Sequence, residues 1–400
     1  MRSGPLWRRA TARSRPSGPA GPPPVADDRR EPIVTDAPTR DTEPTPSPKR
    51  VSIRPTWTIQ DADGPALPLR LIELLVQVHA TGSLSTAARA LGLSYRHAWD
   101  LVRQGEAQFR APLLHTARGR GSTLTELGEK IVWADHRIVA RLKPVLDSLA
   151  SELSAEIGRA LRAGTAPLRV HASHGFAVEL LIERMTQRGL PVELTYGSSS
   201  AAAAALHDGD CDVAGLHVPI GTLQEPALAH YARWLSGEDL TVVDLAVRRQ
   251  GLMVRAGNPK GLRTLGDLAR SDVRFVNRQA GSGTRLLLEG LLHEQGVEPA
   301  RILGFEQFEY THAAVAAYVA SGMADAGFGL EPPARRFGLD FVPLATERYF
   351  LLCRTDVLGT PAVAALLETL GALRDALAAL PGYDASIAGR LSTLEEAFRG

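Results

Sequence analysis

Polar residues are grouped at five places in the second half of this 400-residue chain, at 172–175, 196–200, 215–217, 277–285 and 310–312. Each group follows a short apolar run of β type or begins a helical pattern. Helix N-termini present unpaired backbone N–H groups and a partial positive charge, so hydroxyl and basic side chains placed there favour the binding of anions. The five groups together predict one pocket for a small anion.

The group at 277–285, NRQAGSGTR, is the most specific of the five. Its glycines let the backbone approach a ligand closely, and its two arginines could form charge-assisted bonds to an anion. A plain helix cap is the alternative for any single serine or threonine. The side chains predicted to bind the ligand are Ser173, His174, Ser198, Ser199, His217, Arg278, Ser282, Thr284, Arg285, Thr311 and His312.

Three of these residues, His174, His217 and His312, could instead bind a divalent metal such as zinc. Hydrogen bonding to the ligand is the favoured role, so no metal site is predicted. The sequence contains no Ser/His/Asp order, Walker loop or metal-ligand cluster that could carry catalysis, and the chain is therefore not predicted to be an enzyme. The two isolated cysteines, Cys211 and Cys353, are expected to be reduced core residues.

A site of another kind is predicted at residues 81–102, TGSLSTAARALGLSYRHAWDLV. Ser83 or Ser85 can cap a first helix, Gly92 permits a tight turn, and Ser94 can cap a second helix. The polar N-terminal residues of such a second helix meet base edges in the DNA major groove, although an ordinary helical hairpin is the alternative. The predicted DNA contacts are Ser94, Tyr95, Arg96, His97 and Arg103 on this helix, and Arg118 and Arg120 in a following loop.

The segment from Leu71 to about Leu153 resembles the winged helix-turn-helix of LysR-type regulators, and SYRHAWDLV is nearest to the molybdate-responsive ModE branch. Residues 168–370 resemble the binding-protein-like domain that is fused to ModE-like domains and to MoeA-type proteins of molybdopterin biosynthesis, with patterns around SH, AGLH, NRxxGSGTR and THxAVA. The segment is also similar to periplasmic molybdate-binding proteins, which implies oxyanion contacts for Ser173, Ser198 and Ser199. Those proteins use mostly neutral donors, so the two arginines of NRQAGSGTR indicate a larger or more charged ligand, such as a phosphate-bearing pterin.

Four segments must position these sites. Residues 1–65 are rich in Pro, Arg and Ser and are predicted to be a disordered tail. A winged helix-turn-helix is predicted over 66–125, a linker and dimerisation helix over 126–162, and a ligand-sensing domain over 163–400. Apolar residues at helical spacing indicate the long helix, in which Pro144 should cause a kink or break. Packing of this helix on its own domain is the alternative to dimerisation.

The fold class is α+β in the first part and α/β in the second, where short strands alternate with helices. Two such lobes joined by crossing strands predict a clamshell like that of periplasmic binding proteins, with the ligand at the carboxyl ends of the strands. Residues 66–144 contain 11 Lys and Arg against 6 Asp and Glu. This basic excess suits a segment that neutralises phosphates, although a solvated surface could also carry it.

The sequence therefore predicts a cytoplasmic transcription regulator that forms a homodimer or a higher oligomer and binds double-stranded operator DNA. Its effector is predicted to be a small anion, namely molybdate, tungstate or a molybdenum-cofactor-related metabolite, without a covalent cofactor. No membrane partner is expected because no run of 18 apolar residues occurs. The alternatives are a solute-binding protein that does not bind DNA and an enzyme of molybdopterin biosynthesis.

Overall fold

The computed structural model describes residues 50–62, 64–117, 121–161 and 166–398. The first compact part contains α1 (Leu69–Thr81), α2 (Leu84–Ala90), α3 (Tyr95–Phe109), β1 (Leu114–Ala117) and β2 (Gly121–Leu124). β1 and β2 pair antiparallel as the predicted wing. The predicted loop contacts of Arg118 and Arg120 lie outside the described residues.

The turn chemistry of the helix-turn-helix follows the sequence prediction. The Ser83 hydroxyl caps α2 by accepting a hydrogen bond from the Thr86 N–H, and the Ser94 hydroxyl caps α3 by accepting one from the His97 N–H, at 3.3 and 3.2 Å. Gly92 has a φ of +66°, which glycine adopts without strain. The apolar residues Ala98, Leu101 and Val102 of α3 are buried in a common core with α1 and α2, so the polar face of α3 is left outside.

The predicted tail is wrong in its last part. Trp57 and Ile59 pack against the core of the winged domain, and the Trp57 indole N–H donates to Asp135 of the following long helix at 2.9 Å. The Leu67 N–H donates to the Ile59 carbonyl, which ties this segment to the start of α1. The polar composition of residues 1–65 gave no sign that the side chains of Trp57 and Ile59 pack on this core. The folded unit therefore begins before residue 66.

The long helix α4 (Glu126–Leu161) has 36 residues and contains Pro144. Thr125 caps it by accepting a hydrogen bond from the Gly128 N–H at 3.2 Å. One face of α4 packs on the rest of the chain, whereas an apolar stripe on the other face is more than one-third exposed. The stripe contains Val139, Leu142, Val145, Leu149, Leu153, Ile157 and Leu161.

The remaining chain forms two α/β lobes. The first contains β3 (Leu168–Ala172), α5 (Phe176–Gln187), β4 (Val192–Tyr196), α6 (Ser199–His207), β5 (Val213–Pro219) and α7 (Gln224–Leu235). The second contains β7 (Phe275–Arg278), α8 (Gly283–Glu294), β8 (Phe308–Glu309), α9 (His312–Ala320), β9 (Ala326–Leu330) and α10 (Glu331–Arg336). The crossing strands are β6 (Leu240–Val254) and β10 (Asp340–Arg354), and the chain ends with α11 (Pro361–Ala372), α12 (Arg374–Ala378), β11 (Tyr383–Asp384), β12 (Leu391–Thr393) and α13 (Leu394–Phe398).

The strands form one sheet in the order β4-β3-β5-β10-β6-β9-β7-β8, with β11 and β12 also paired to β6. β3 is parallel to β4 and β5, and β7 is parallel to β8 and β9, whereas the two crossing strands are antiparallel to each other. The apolar runs at 341–344 and 349–353 belong to one strand, β10, with irregular register at two places. Charged residues inside β6 interrupt the apolar pattern of that strand.

Each lobe carries the same Arg–Asp clamp at its first strand. In the first lobe, the Arg169 backbone N–H donates to Asp212, and its guanidinium binds the same carboxylate and the carbonyl of Gly209. In the second lobe, Arg274 makes the equivalent three contacts with Asp325 and the carbonyl of Gly322. These Arg–Asp contacts join the parallel strands of each lobe at their amino ends. The carboxyl ends of the strands in both lobes are therefore free to form a binding site.

Gly251 of β6 lies opposite Pro343 of β10 in the pairing of the two crossing strands. A Cβ at this position would lie 2.1 Å from the carbonyl oxygen of Val342. We expect Gly251→Ala to lower the free energy of unfolding by about 1–3 kcal/mol, because the backbone of β10 would have to move. Gly158→Ala on α4, where a Cβ meets no atom within 4 Å, is the matched control. It should raise stability by roughly 0.5–1 kcal/mol in urea titrations; equal effects of the two substitutions would contradict this account.

Candidate functional site

The predicted polar groups meet at the carboxyl ends of the strands, where helices begin. Ser198 caps α6 by accepting from the Ala201 N–H at 3.1 Å, and Ser282 caps α8 by accepting from the Arg285 N–H at 3.2 Å. A cap uses a lone pair of the hydroxyl oxygen, so its O–H group stays available as a donor. These two serines are therefore helix caps that can still donate to a ligand.

Thr311 caps α9 in the same way, with the Ala314 N–H at 2.9 Å, but its own O–H is already used. It donates to the carbonyl of Ala140 in α4 at 2.9 Å. The predicted ligand contact of Thr311 is therefore replaced by a contact with the long helix. Pro144 explains why this carbonyl is available, because proline has no N–H to bond the carbonyl four residues earlier.

A buried charged group that the sequence did not reveal lies on the crossing strands. Arg248 of β6 and Glu347 of β10 are directly opposite each other, and the Arg248 Nε donates to the Glu347 Oε1 at 2.5 Å. Gln250 Nε2 donates to the same oxygen at 2.9 Å. Burial alone would raise the pKa of Glu347, but the charge of Arg248 and the neighbouring His217 lower it to about 2. The Glu347 carboxylate is therefore ionised at neutral pH.

Arg278 is a buried cation that has no carboxylate partner in the described part of the chain. Its Nε donates to the side-chain oxygen of Gln279 at 3.2 Å and its Nη2 to the Tyr310 carbonyl at 3.0 Å. Burial and the charge of Arg248 lower its pKa to about 10. A guanidinium buried without a counter-charge is unfavourable in free energy, and a bound anion would offset this cost.

Arg285 does not share this situation, although it belongs to the same motif. Its Nε donates to Glu289 at 2.8 Å and its Nη2 to Glu306 at 3.2 Å, and the guanidinium lies over the Phe305 ring. Unlike Arg278, Arg285 therefore has two carboxylate partners in its own lobe, and its predicted contact with a ligand stays a prediction. The spacing of the two arginines in the sequence could not show that only one of them has carboxylate partners.

The three histidines have different partners. His217 Nδ1 lies 3.3 Å from Glu347, whereas His174 Nε2 lies 2.8 Å from Glu179 on α5. His312 Nδ1 accepts from the Leu330 N–H at 3.3 Å, and burial together with the charges of Arg278 and Arg248 holds its pKa well below its usual range. His312 is therefore neutral and can donate through its other nitrogen.

One group of metal-ligating side chains, formed by Asp147, His174 and Glu179, lies close together among the described residues. The ammonium group of Lys143 contacts Asp147 and also lies 3.3 Å from Glu179. A cation from the chain itself therefore already compensates both carboxylates.

The remaining predicted ligand residues lie beside the charged group. Ser173 Oγ is 3.4 Å from the Tyr349 hydroxyl, which donates to the Ser173 carbonyl at 3.1 Å. Thr284 Oγ1 is 3.4 Å from Gln250 Nε2 at the start of α8. Ser199 is buried beside Tyr231 of α7, whose pKa burial raises to about 12.

α4 lies across both lobes beside this site. Arg137 and Arg141 contact the buried carboxylate of Glu309 in the second lobe, at 3.3 and 3.4 Å. In the first lobe, the hydroxyls of Ser148 and Ser151 accept hydrogen bonds from backbone N–H groups of β4. One face of α4 therefore packs on its own chain, which was the alternative to dimerisation. The exposed apolar stripe lies on another face.

α4 also joins this site to the winged domain. Trp133 and His136 of α4 contact His79 of α1 on one side and Phe337 of the second lobe on the other, with ring centroids 5.4–6.0 Å apart. On α3, Tyr95, Arg96 and His97 are exposed at the N-terminal end, as a DNA contact requires. Arg103 is exposed too, and it pairs with Asp100 at 3.1 Å. Exposed pairs of this kind are weak, so the pair leaves Arg103 able to contact another anion.

These two parts define a class of protein, in which a winged helix-turn-helix is joined to a two-lobed binding domain. Residues 69–129 match the family model described as bacterial regulatory helix-turn-helix protein, lysR family, and residues 182–371 match that of the PBP superfamily domain. The chain therefore joins a segment that matches lysR-family helix-turn-helix domains to a segment that matches PBP superfamily domains.

Two curated relatives are each 32% identical to part of the chain. The uncharacterized protein YvgK of Bacillus subtilis (strain 168) matches over 197 residues, or 49% of this chain and 64% of its own length. The molybdenum-pterin-binding protein MopB of Rhodobacter capsulatus matches over 126 residues, or 30% of this chain and 46% of its own length. The chain thus spans less than two thirds of either relative. The solved structure of full-length BenM covers 77% of this chain and 97% of its own, but at 17% identity and a TM-score of 0.39 it supports no conclusion.

The lowered pKa of His312 predicts a pH dependence of stability. Below its usual pKa of 6.5, the unfolded chain binds a proton at His312 that the folded chain rejects, so stability falls as the pH decreases from about 7 to about 5. His312→Asn keeps an acceptor for the Leu330 N–H without a titrating ring, and it should make this fall less steep in urea titrations. His136 and His171, whose pKa values burial also lowers, should leave part of the slope. Parallel curves for the two proteins would disprove the assignment to His312.

Proposed function

We propose that this protein is a DNA-binding transcription regulator whose PBP superfamily domain senses a small anion. The observation that carries the ligand part is Arg278, a buried guanidinium without a carboxylate partner at the carboxyl ends of the strands. Arg278 lies close to the start of α9, because its Nη2 donates to the Tyr310 carbonyl and its charge acts on the neutral His312, and α8 begins five residues after it with the Ser282 cap. Both features favour negative charge.

The DNA part of the proposal rests on α3. Its apolar face is buried against α1 and α2, and its N-terminal residues Tyr95, Arg96 and His97 are exposed beyond the Ser94 cap. This division of faces is what a recognition helix needs in order to enter a major groove. Arg96 is the predicted reader of a base edge, and Tyr95 and Ser94 are predicted to contact phosphate.

We further propose that the protein acts as a homodimer through the exposed stripe of α4. Seven apolar residues at intervals of three or four follow one face of this helix, which suits packing against the same face of a second copy. A two-fold dimer would place its two α3 helices roughly 34 Å apart, which matches two half-sites on one side of a DNA duplex. Ligand binding between the lobes would then act on the dimer through α4, because α4 contacts both lobes.

The candidate effectors are molybdate, tungstate and a metabolite related to the molybdenum cofactor. The partial similarity to MopB, a molybdenum-pterin-binding protein, supports this choice. Two arginines of α4, Arg137 and Arg141, contact Glu309 beside the site, and the cap of α9 lies there too. Any of these ligands would therefore be sensed next to the helix that leads to the winged domain.

The anion site is tested by comparing the two arginines of the NRQAGSGTR motif. Calorimetric titration of the full chain with molybdate, tungstate, sulfate and phosphate should show binding of at least one of them. Arg278→Ala should weaken that binding by about tenfold or more, since a charge-assisted hydrogen bond is lost. Arg285→Ala is the control, because its guanidinium is held by Glu289 and Glu306, and it should bind as the wild type does. Equal losses in both variants would refute the assignment.

DNA recognition is tested with duplexes that the wild-type chain selects from a random pool. Arg96→Ala should weaken binding to the selected sequence by about 1–3 kcal/mol and relax the preference at one base position. Arg184→Ala removes an exposed positive charge on the first lobe and should leave the affinity unchanged. Unaltered binding by Arg96→Ala in fluorescence anisotropy would exclude Arg96 as a base contact.

A further inference from the structure

Two buried acceptor atoms of the site can accept a further hydrogen bond. They are Oε2 of Glu347 and the side-chain oxygen of Gln250, and both side chains are fully buried. The two residues are directly linked, because Gln250 Nε2 donates to the other carboxylate oxygen of Glu347. His217 Nδ1 contacts Oε2 at 3.3 Å and helps to lower the pKa of Glu347, but a carboxylate oxygen can accept more than one hydrogen bond. Buried acceptors in native proteins are normally satisfied, and the Gln250 oxygen has no hydrogen bond within the described residues, so both atoms favour a donor from a bound molecule.

These two acceptors lie at the start of α8, next to the unpaired cation. Gln250 Nε2 is 3.4 Å from the hydroxyl of Thr284, the second residue of α8. A Cβ on Gly283, the first residue of α8, would lie 2.1 Å from the His217 ring, so the helix start packs directly on the ring beside Glu347. The charges of Arg248 and Glu347 both act on Arg278. The two acceptors therefore lie within electrostatic range of the Arg278 guanidinium.

This combination restricts the chemistry of the ligand. Molybdate, tungstate and sulfate carry only acceptor oxygens at neutral pH, and an oxygen of such an ion placed near Oε2 would be repelled by the carboxylate. An anion that also has an O–H or N–H group could satisfy Glu347 and Gln250 while its negative group contacts Arg278. The cost of leaving buried acceptors unpaired makes this difference selective.

We infer that the ligand of this site is an anion that also carries hydrogen-bond donors, and that fully deprotonated tetrahedral oxyanions are discriminated against. The donors can come from a protonated oxyanion such as hydrogen phosphate, or from an acidic heterocycle with lactam and amino N–H groups. The inference rests on the anion-binding function proposed above. Among the candidate effectors it favours a phosphate-bearing metabolite over molybdate or tungstate.

The test is a calorimetric comparison of four probes on the full chain at neutral pH: phosphate, guanosine monophosphate, sulfate and molybdate. Phosphate or guanosine monophosphate should bind about tenfold or more tightly than sulfate and molybdate. Tighter binding of the nucleotide would identify the heterocycle as the donor source, and tighter binding of phosphate would identify the protonated oxyanion. Glu347→Gln offers an N–H group in place of the carboxylate and should remove most of this preference.

Asp244→Asn is the matched control. Asp244 is an equally buried carboxylate, but it pairs with Arg348 and Arg390 rather than with the site. This variant should keep the wild-type order of affinities. The inference is overturned if sulfate or molybdate binds the wild type as tightly as the other two probes, a result that needs no variant to fold. An unchanged order in a folded Glu347→Gln protein overturns it too. Binding of none of the probes, or equal binding to Arg278→Ala, would instead overturn the anion site itself.

Discussion

The ion pair between Arg248 and Glu347 is the interaction on which the ligand site depends. It joins the two crossing strands at opposite register positions, and both side chains are almost completely buried. Burying two charges is costly unless their geometry is good and further hydrogen bonds are made. The second nitrogen contact, from Gln250, and the ring of Tyr349 under the guanidinium supply part of that support. The pair thereby fixes where the lobes meet, and it leaves Arg278 as the site's unbalanced positive charge.

The two ends of the protein communicate through one helix that touches every part. α4 begins at the wing, contacts α1 through Trp133, and then lies on the second lobe and the first lobe in turn. A change in the angle between the lobes would have to be absorbed by its contacts with Glu309 on one side and with β4 on the other. The same helix carries the apolar stripe, so a ligand signal and the arrangement of a dimer would involve the same element.

Local sequence chemistry predicted the caps Ser83 and Ser94, because a helix cap depends on neighbouring residues. It failed where partners are distant in the chain. Arg248 and Glu347 are nearly 100 residues apart, and their charges interrupt the apolar pattern that would mark a buried strand. Arg285 has a carboxylate partner in Glu306, and Arg278 has none in the described part of the chain. No sequence motif connects Glu306 to either arginine. The packing of Trp57 on the core of the winged domain was not predicted, because the residues around Trp57 in the sequence are polar.

Pro144 gives α4 a property that a regular helix lacks. The carbonyl of Ala140 would normally be closed off inside the helix, but here it is held by the hydroxyl that also caps α9. The second lobe therefore binds α4 at the position where Pro144 interrupts the helix's own hydrogen bonds. This contact couples α4 directly to that lobe. Any other residue at position 144 would bring a backbone N–H that competes with Thr311 for the same oxygen. The absence of an N–H group on one proline is therefore what allows the second lobe to bind the backbone of α4.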